Sequence, residues 1–257
     1  MGIEKKYSKK KPLVCLTAYD YKTALIVDKY SDIVLVGDSL GMVLYGDNST
    51  GKVTLDMMIR HGKSVRKGIK KSYLVVDMPK NTYNNPVIAL KNAKKIIKFT
   101  KCDAVKLEGG LKQKKTIKYL INHNIQVVGH IGLLPQSIDN PKNYRVLGKT
   151  IKERNKILAD FEALEELNVK FIVVEAVTKK LADFICNKSN IPIIGIGASN
   201  RCDGQVLVTE DLIGYFDKIP KFVKKYSNVK NIIDNSIKKF AKDVRLKKFP
   251  FNKNLYN

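Results

Sequence analysis

Residues 73–110 read YLVVDMPKNTYNNPVIALKNAKKIIKFTKCDAVKLEGG. An apolar run from Tyr73 to Val76 is followed by a helical pattern over Ala89 to Phe99, and then by a second apolar run from Ala104 to Leu107. Both runs are short, nearly continuous and rich in valine, which is typical of strands buried on both faces of a parallel sheet. The stretch therefore predicts one β–α–β unit.

The same alternation continues on both sides of this unit. Six further apolar runs have the same character: Leu13 to Ala18, Ile33 to Val36, Gln126 to Gly129, Phe171 to Val174, Ile191 to Ile196 and Val206 to Val208. Helical patterns lie between most of them, for example Leu55 to Ile69, with Thr54 as its N-cap, and Ile151 to Leu167. Eight such units favour a single-domain (β/α)8 TIM barrel, with a doubly wound open sheet as the alternative.

The domain prediction is one domain over residues 1–257, with a barrel core at 12–225 and a C-terminal helix and basic tail at 226–257. The chain is 257 residues long and 44% apolar, which excludes disorder as its main state. No apolar run approaches the length of a membrane span, and no signal peptide is visible. Four widely separated cysteines without a CxxC spacing favour a reducing, cytoplasmic location.

The formal net charge of +24 raises the possibility of nucleic-acid binding. However, 42 of the 48 basic residues are lysine and only six are arginine, whereas phosphate and base recognition relies on arginine. The lysines are also spread along the chain rather than gathered in one block. We therefore expect a solvated lysine surface and no nucleic-acid partner, and keep a nucleic-acid binder as an alternative class.

Carboxylates follow four of the apolar runs, namely Asp38, Asp77, Glu108 and Glu175. In a barrel the carboxyl ends of all strands meet at one mouth, so these four side chains would converge there. Acids that converge repel one another unless a cation lies among them, and oxygen ligands favour Mg²⁺ or Mn²⁺. Asp38 and Asp77 are the best direct ligands, while Glu108 could bind the metal directly or hold a metal-bound water.

Two basic residues belong to the same predicted mouth. Lys106 lies two residues before Glu108 and so shares its face, where it could bind a substrate carboxylate. His130 could donate to a substrate oxygen or assist proton transfer, although a lone histidine here is more often a core residue.

Glu175 follows a very apolar run and is free to act as a base. For Asp38 and Asp77 a capping or turn role is about as probable as metal binding.

Several segments together resemble one enzyme family, 3-methyl-2-oxobutanoate (ketopantoate) hydroxymethyltransferase. They run in register from about residue 12 to 225: TAYDY at 17–21, VGDSLGM at 36–42, VVDMP at 75–79, VKLEGG at 105–110, GHIGLLPQS at 129–137, VVEAV at 173–177, and IPIIGIGAS with DGQVLV at 191–208. The resemblance implies a barrel of the phosphoenolpyruvate mutase/isocitrate lyase type. It also implies a homo-oligomer, a decamer.

The resemblance implies a site and a reaction as well. Mg²⁺ would bind Asp38 and Asp77 with support from Glu108, and Glu175 would accept the substrate proton. The keto-acid site would comprise Asp38, Ser39, Asp77, Lys106 and His130. A magnesium-stabilised enolate of 3-methyl-2-oxobutanoate would take a hydroxymethyl group from 5,10-methylenetetrahydrofolate, giving 2-dehydropantoate for pantothenate and coenzyme A synthesis.

Two further classes stay open on the sequence. One is a carbon–carbon lyase or phosphonate-forming mutase on the same barrel. Such lyases commonly carry a Lys-Lys-Cys-Gly-His loop, but here Cys102 follows Lys101 and precedes Asp103, so that loop is absent. The other is a catalytically idle barrel kept for assembly.

Overall fold

The structure is a computed structural model that describes residues 11–138 and 140–256. Eight strands form a closed, all-parallel barrel in chain order, in which the last strand pairs with the first. The strands are β1 Leu13–Thr17, β2 Ile33–Val36, β3 Tyr73–Asp77, β4 Ala104–Glu108, β5 Val127–Gly132, β6 Ile172–Glu175, β7 Ile193–Ile196 and β8 Gly204–Leu207. The predicted (β/α)8 barrel is confirmed, and the open sheet is excluded.

One or two helices separate consecutive strands, except between β7 and β8, where the described residues form only turns and bends. The helices are α1 Tyr21–Val27, α2 Leu40–Leu44, α3 Leu55–Gly68, α4 Pro86–Thr100, α5 Lys114–Asn122, α6 Ile151–Glu166, α7 Lys179–Lys188, α8 Thr209–Leu212 and α9 Val229–Arg245. Side-chain caps fix several starts: Thr54 accepts from the amide of Met57, and Thr150 from that of Glu153. Both satisfy amides that a helix start leaves unpaired, which is why the sequence marks these starts so clearly.

The strands separate two apolar layers. The larger cluster fills the space between the strands and the helices, and includes Val34, Val76, Leu107 and Phe161. The smaller cluster lies on the other face of the strands, inside the barrel, and includes Ile33, Val75, Phe171 and Val173 among its twelve buried members. Successive strand residues alternate between the two faces. The inward-facing positions that follow this apolar layer along the strands therefore lie at the carboxyl ends.

The strand ends differ slightly from the sequence prediction. Strands β3, β4 and β6 include the acidic residue that closes each apolar run, and β5 continues past Gly129 through His130 to Gly132. The apolar runs stop before the strands end, because the inward-facing residues at the strand ends are polar. Strand β8 begins earlier than predicted, at Gly204, where an added Cβ would lie 2.5 Å from the carbonyl oxygen of Leu13.

The chain divides after Val208 into two compact units. The first carries the barrel strands, and the second carries α8 and α9. In the second unit, the amide of Tyr226 donates to Leu212, and α9 lies within the predicted terminal helical segment. Across the described residues, none of the helices has the length and apolar content that crossing a membrane requires.

Candidate active site

Five charged or ionisable side chains extend from the inner face at the carboxyl ends of the strands. They continue the alternation of the inner apolar layer: Asp77 on β3, Lys106 and Glu108 on β4, His130 on β5 and Glu175 on β6. The strand register sets Asp77 beside Lys106 and Glu108 beside His130. The fold therefore brings together residues that lie up to 98 positions apart in the sequence.

Asp77 and Lys106 form a buried ion pair, with 3.1 Å between Asp77 Oδ1 and Lys106 Nζ. The other carboxylate oxygen, Oδ2, accepts the backbone N–H of Asp38 at 3.1 Å. Burial lowers the pKa of Lys106, but the charges of Asp77, Asp38 and Glu108 outweigh burial and raise it above its ordinary value. Lys106 is therefore a permanent cation in the floor of the site.

Asp38 follows β2 and is 5% exposed. Burial, and then the neighbouring charge of Asp77, raises the pKa of Asp38 to about 7. Burial, and then the charge of Asp38, also raises the pKa of Glu108 well above its usual range. One lysine does not balance this cluster of carboxylates, so the site disfavours full ionisation unless another cation enters.

His130 lies between the lysine and the partly exposed carboxylate of Glu175. Its Nδ1 is 3.4 Å from Lys106 Nζ, and its Nε2 is 3.1 Å from Glu175 Oε2. Burial, and then the charge of Lys106, lowers the pKa of His130, so the ring is neutral at pH 7. In the neutral tautomer with the proton on Nε2, Nδ1 accepts from Lys106, while Nε2 lies close to Glu175 without the alignment of a hydrogen bond.

Ser39 follows Asp38 directly and is the N-cap residue of the short helix α2. Its Oγ lies 2.7 Å from the hydroxyl of Tyr19. A Cβ added at Gly37 would be 2.9 Å from Ser39 Oγ and 3.6 Å from Asp77 Oδ2, which places this hydroxyl at the edge of the carboxylate cluster. All the residues predicted for the site thus gather at one mouth of the barrel.

Gln136, a residue without a predicted role, lies after β5 and is 5% exposed. Its Nε2 donates to Asp38 Oδ2 at 2.7 Å and to the carbonyl of Met78 at 3.0 Å, and its backbone N–H donates to Glu108 Oε2 at 3.1 Å. Its Oε1 accepts from the hydroxyl of Tyr83 at 2.5 Å. Gln136 therefore holds two of the carboxylates, and its place in the segment GHIGLLPQS was the signal that could have identified it.

The donor set fits a magnesium ion. All the acidic donors are oxygens, and burial, together with the charges of neighbouring carboxylates, raises the pKa values of Asp38 and Glu108. Within residues 11–138 and 140–256, no three His, Cys, Asp or Glu side chains are arranged to hold a metal between them. That arrangement is compatible with Mg²⁺, which commonly takes one or two carboxylates and fills its other positions with water or substrate oxygens.

Comparison with known proteins gives the family of the chain. Residues 1–252 match the family model described as ketopantoate hydroxymethyltransferase. A 3-methyl-2-oxobutanoate hydroxymethyltransferase of Pelagibacter ubique is 55% identical over 251 residues, which cover 98% of this chain and 96% of that protein. A second protein of the same name, from Rhizobium etli, is 46% identical over 242 residues, covering 93% of this chain and 89% of that protein.

Solved structures share the barrel at much lower sequence identity. Phosphonopyruvate hydrolase in complex with oxalate and Mg²⁺ superimposes with a TM-score of 0.62 at 8% identity, covering 96% of this chain and 87% of that chain. A 2,3-dimethylmalate lyase, a member of the phosphoenolpyruvate mutase/isocitrate lyase superfamily, gives 0.60 at 10% identity, covering 93% and 81%. These similarities confirm the predicted type of barrel and show the fold alone.

Proposed function

The chain belongs to the ketopantoate hydroxymethyltransferase family, and from this we propose that it transfers a hydroxymethyl group to 3-methyl-2-oxobutanoate at the barrel mouth. The observation that carries the proposal is the family match over residues 1–252. The one-carbon donor we propose is 5,10-methylenetetrahydrofolate. The balanced reaction consumes the keto acid, this donor and water, and releases 2-dehydropantoate and tetrahydrofolate.

We assign Asp38 and Asp77 as the residues that would hold Mg²⁺, with Glu108 in support. When bound, the ion would act as a Lewis acid that polarises the keto group of the substrate. Asp38 and Asp77 are already joined by the 3.1 Å hydrogen bond from the Asp38 amide. Gln136 supports this pair, because its amide nitrogen donates to the Asp38 carboxylate.

We assign substrate binding to Lys106, Ser39 and His130, together with the two aspartates. The ammonium of Lys106 is buried and remains charged, so it can bind an anionic or developing-anionic oxygen of the keto acid. The hydroxyl of Ser39 lies at the edge of the carboxylate cluster and can donate to a substrate oxygen. His130 orients Glu175 through the 3.1 Å contact between Nε2 and Oε2.

Glu175 is the general base in this proposal. It removes the proton from C3 of the keto acid, and the resulting enolate carbon forms the new bond to the one-carbon unit. Its side chain is 15% exposed, more than those of Asp77, Glu108 or His130, so a substrate can reach it. Both bonds that join the one-carbon unit to folate, at N5 and at N10, break. The two nitrogens take up one proton from C3 of the keto acid and one from water, and the same water supplies the oxygen of the hydroxymethyl group.

The test is hydrogen–deuterium exchange at C3 of 3-methyl-2-oxobutanoate in D₂O, followed by NMR, with and without Mg²⁺ and tetrahydrofolate. The wild type should exchange only with Mg²⁺, and Glu175→Gln should lose at least about a hundredfold in rate. Glu166→Gln, on the exposed surface of α6, is the matched control and should exchange like the wild type. Full exchange by folded Glu175→Gln would remove the assignment of the base.

We also propose a homo-oligomer, specifically a decamer, and a cytoplasmic location. Family membership supports the first. The second is supported by the four cysteines, all of which are free thiols. Cell fractionation with antibody detection tests the location, and recovery of the protein outside the cytoplasmic fraction would contradict it.

A further inference from the structure

Tyr144 lies in the loop between β5 and α6, outside the set of residues assigned above. The loop is fixed beside the end of β6: the amide of Leu147 donates to Ala176 at 2.8 Å, and the amide of Thr178 donates to Leu147 at 2.9 Å. Leu147 also forms a parallel bridge with Val177. Since Ala176 directly follows Glu175, the segment that carries Tyr144 reaches the mouth on the side of the proposed base.

The hydroxyl of Tyr144 is buried and has no hydrogen-bond partner within the described part of the chain. Other tyrosine hydroxyls near the mouth do have one: Tyr83 donates to Gln136, and Tyr19 is paired with Ser39. A buried polar group without a partner is costly, and native proteins rarely keep one without a reason. A ligand oxygen that arrives at the mouth would supply the missing partner.

The charges that influence Tyr144 are those of the barrel mouth. Burial raises the pKa of Tyr144 to about 12, and the charges of Glu175, Glu108 and Asp38 add to the effect in that order. The hydroxyl therefore stays protonated at physiological pH and can act as a donor. Of these three carboxylates, the one with the strongest influence belongs to the proposed base.

We propose that Tyr144 is a specificity residue whose hydroxyl donates a hydrogen bond to the oxygen of the transferred one-carbon unit. This inference rests on the proposed function. Glu175 would remove the C3 proton, and the new carbon–carbon bond forms at that same C3, so the new hydroxyl group appears on the Glu175 side of the mouth. The carboxylate and keto oxygens of the substrate are instead assigned to the side of Lys106 and Asp38.

The test compares two keto acids that differ by one oxygen atom. 2-Dehydropantoate carries the new hydroxymethyl group, and 3,3-dimethyl-2-oxobutanoate carries a methyl group in its place. Their dissociation constants would be measured by titration calorimetry in the presence of Mg²⁺. The wild type should bind the hydroxylated acid about tenfold more tightly, and Tyr144→Phe should lose that preference while binding the methyl analogue within about twofold of wild type.

Tyr30→Phe is the matched control, since Tyr30 is 74% exposed, and it should keep the tenfold preference. Tyr144→Phe removes a hydroxyl that lacks a partner, so its melting temperature without ligand should not fall. Should the variant nevertheless fail to fold, equal affinity of the wild type for both acids would still overturn the proposal.

The possible failures are distinguishable. Retention of the preference by Tyr144→Phe, or equal weakening of both acids, would overturn the role of Tyr144 and leave the proposed reaction standing. If the wild type bound neither acid and exchanged no C3 proton, the proposed function would fail, and the role of Tyr144 would fail with it.

Discussion

Gln136 shows how one neutral side chain can organise a charged site. Its amide nitrogen donates to Asp38 and Met78, and its amide oxygen accepts from Tyr83. An amide provides both donors and an acceptor, so it can satisfy a carboxylate, a carbonyl and a hydroxyl at once. Neither glutamate nor leucine can replace that combination in a buried position.

We predict that Gln136→Leu lowers activity by about 10- to 100-fold and raises the Mg²⁺ concentration needed for half-maximal activity. The variant loses the donor that orients Asp38, while the backbone N–H to Glu108 remains. Gln126→Leu, at an exposed position, is the control. Unchanged Mg²⁺ dependence in Gln136→Leu would show that Asp38 does not need this support.

The sequence predicted the charged part of the site better than its neutral part. Asp77, Lys106 and Glu175 interrupt or close apolar runs, so a charge in a buried strand was itself the signal. Gln136 and Tyr144 belong to the loop after β5, where no periodicity specifies which side chains turn inward. Their positions follow from tertiary contacts, such as the bond from Leu147 to Ala176, that a single sequence does not contain.

At the scale of elements, a glycine governs the approach of β5 to β6. Gly132 ends β5 with φ +93°, and an added Cβ would lie 2.3 Å from the carbonyl oxygen of Glu175 and 2.8 Å from a methyl of Val177. Both the backbone conformation and the space therefore require glycine. The proposed base lies on the strand that such a Cβ would displace.

We predict that Gly132→Ala lowers the free energy of unfolding by at least about 2 kcal/mol and reduces C3 exchange by more than this loss of stability explains. Gly46→Ala is the matched control, because Gly46 also has a positive φ, +71°, but has nothing within 4 Å of its added Cβ. Gly46→Ala should lower the free energy of unfolding by about 1 kcal/mol, through its backbone conformation alone, and leave activity intact. Urea denaturation measures the free energy of unfolding, and the exchange assay measures activity. Equal losses in Gly132→Ala and Gly46→Ala would show that the close contacts of the added Cβ have no effect.

Asp28 ties α1 to the segment that enters β3. Its carboxylate accepts the backbone N–H groups of Lys70, Lys71 and Ser72 at 3.0, 3.2 and 2.8 Å. Burial raises the pKa of Asp28, but these hydrogen bonds outweigh burial and hold it below its usual range. A depressed pKa in the folded state means that the ionised form stabilises the fold.

We predict that Asp28→Asn lowers the free energy of unfolding by about 1–3 kcal/mol at pH 7. Because the folded-state pKa is depressed, this difference is fully present above the unfolded pKa of about 4 and disappears as the pH falls through the folded value. Urea denaturation of both proteins at pH 7 and in steps below pH 4 measures it. Asp56→Asn alters an exposed pair with Lys95 that solvent screens, so it should show a much smaller change with pH. If the difference in the free energy of unfolding between wild type and Asp28→Asn stayed constant with pH, the role of the carboxylate would be contradicted.

At the scale of the whole molecule, the barrel was predictable because each strand contains a short apolar run and most runs are separated by amphipathic helical patterns. Closure itself was inferred from the number of units, and the pairing of β8 with β1 confirms it. The prediction of one domain over residues 1–257 stays a prediction. The chain divides into two compact units after Val208. In the second unit, Lys238 and Lys239 lie on the amphipathic helix α9. The periodicity of a helix alone does not identify what its apolar face packs against.

The net charge of +24 per chain makes assembly the property of the whole molecule that depends most on salt. Like charges repel over about 8 Å at 0.15 M ionic strength but over about 30 Å at 0.01 M. We therefore predict that light scattering at 0.15 M NaCl gives a mass near ten times 29.0 kDa, and that dilution to about 0.01 M shifts the population towards smaller species. Replacing NaCl with an uncharged osmolyte at equal osmolality is the control, because it should not restore the large species if charge is the cause. A monomer at 0.15 M NaCl would count against the decamer, whereas a large species that persists at 0.01 M would mean that the lysines avoid the subunit interfaces.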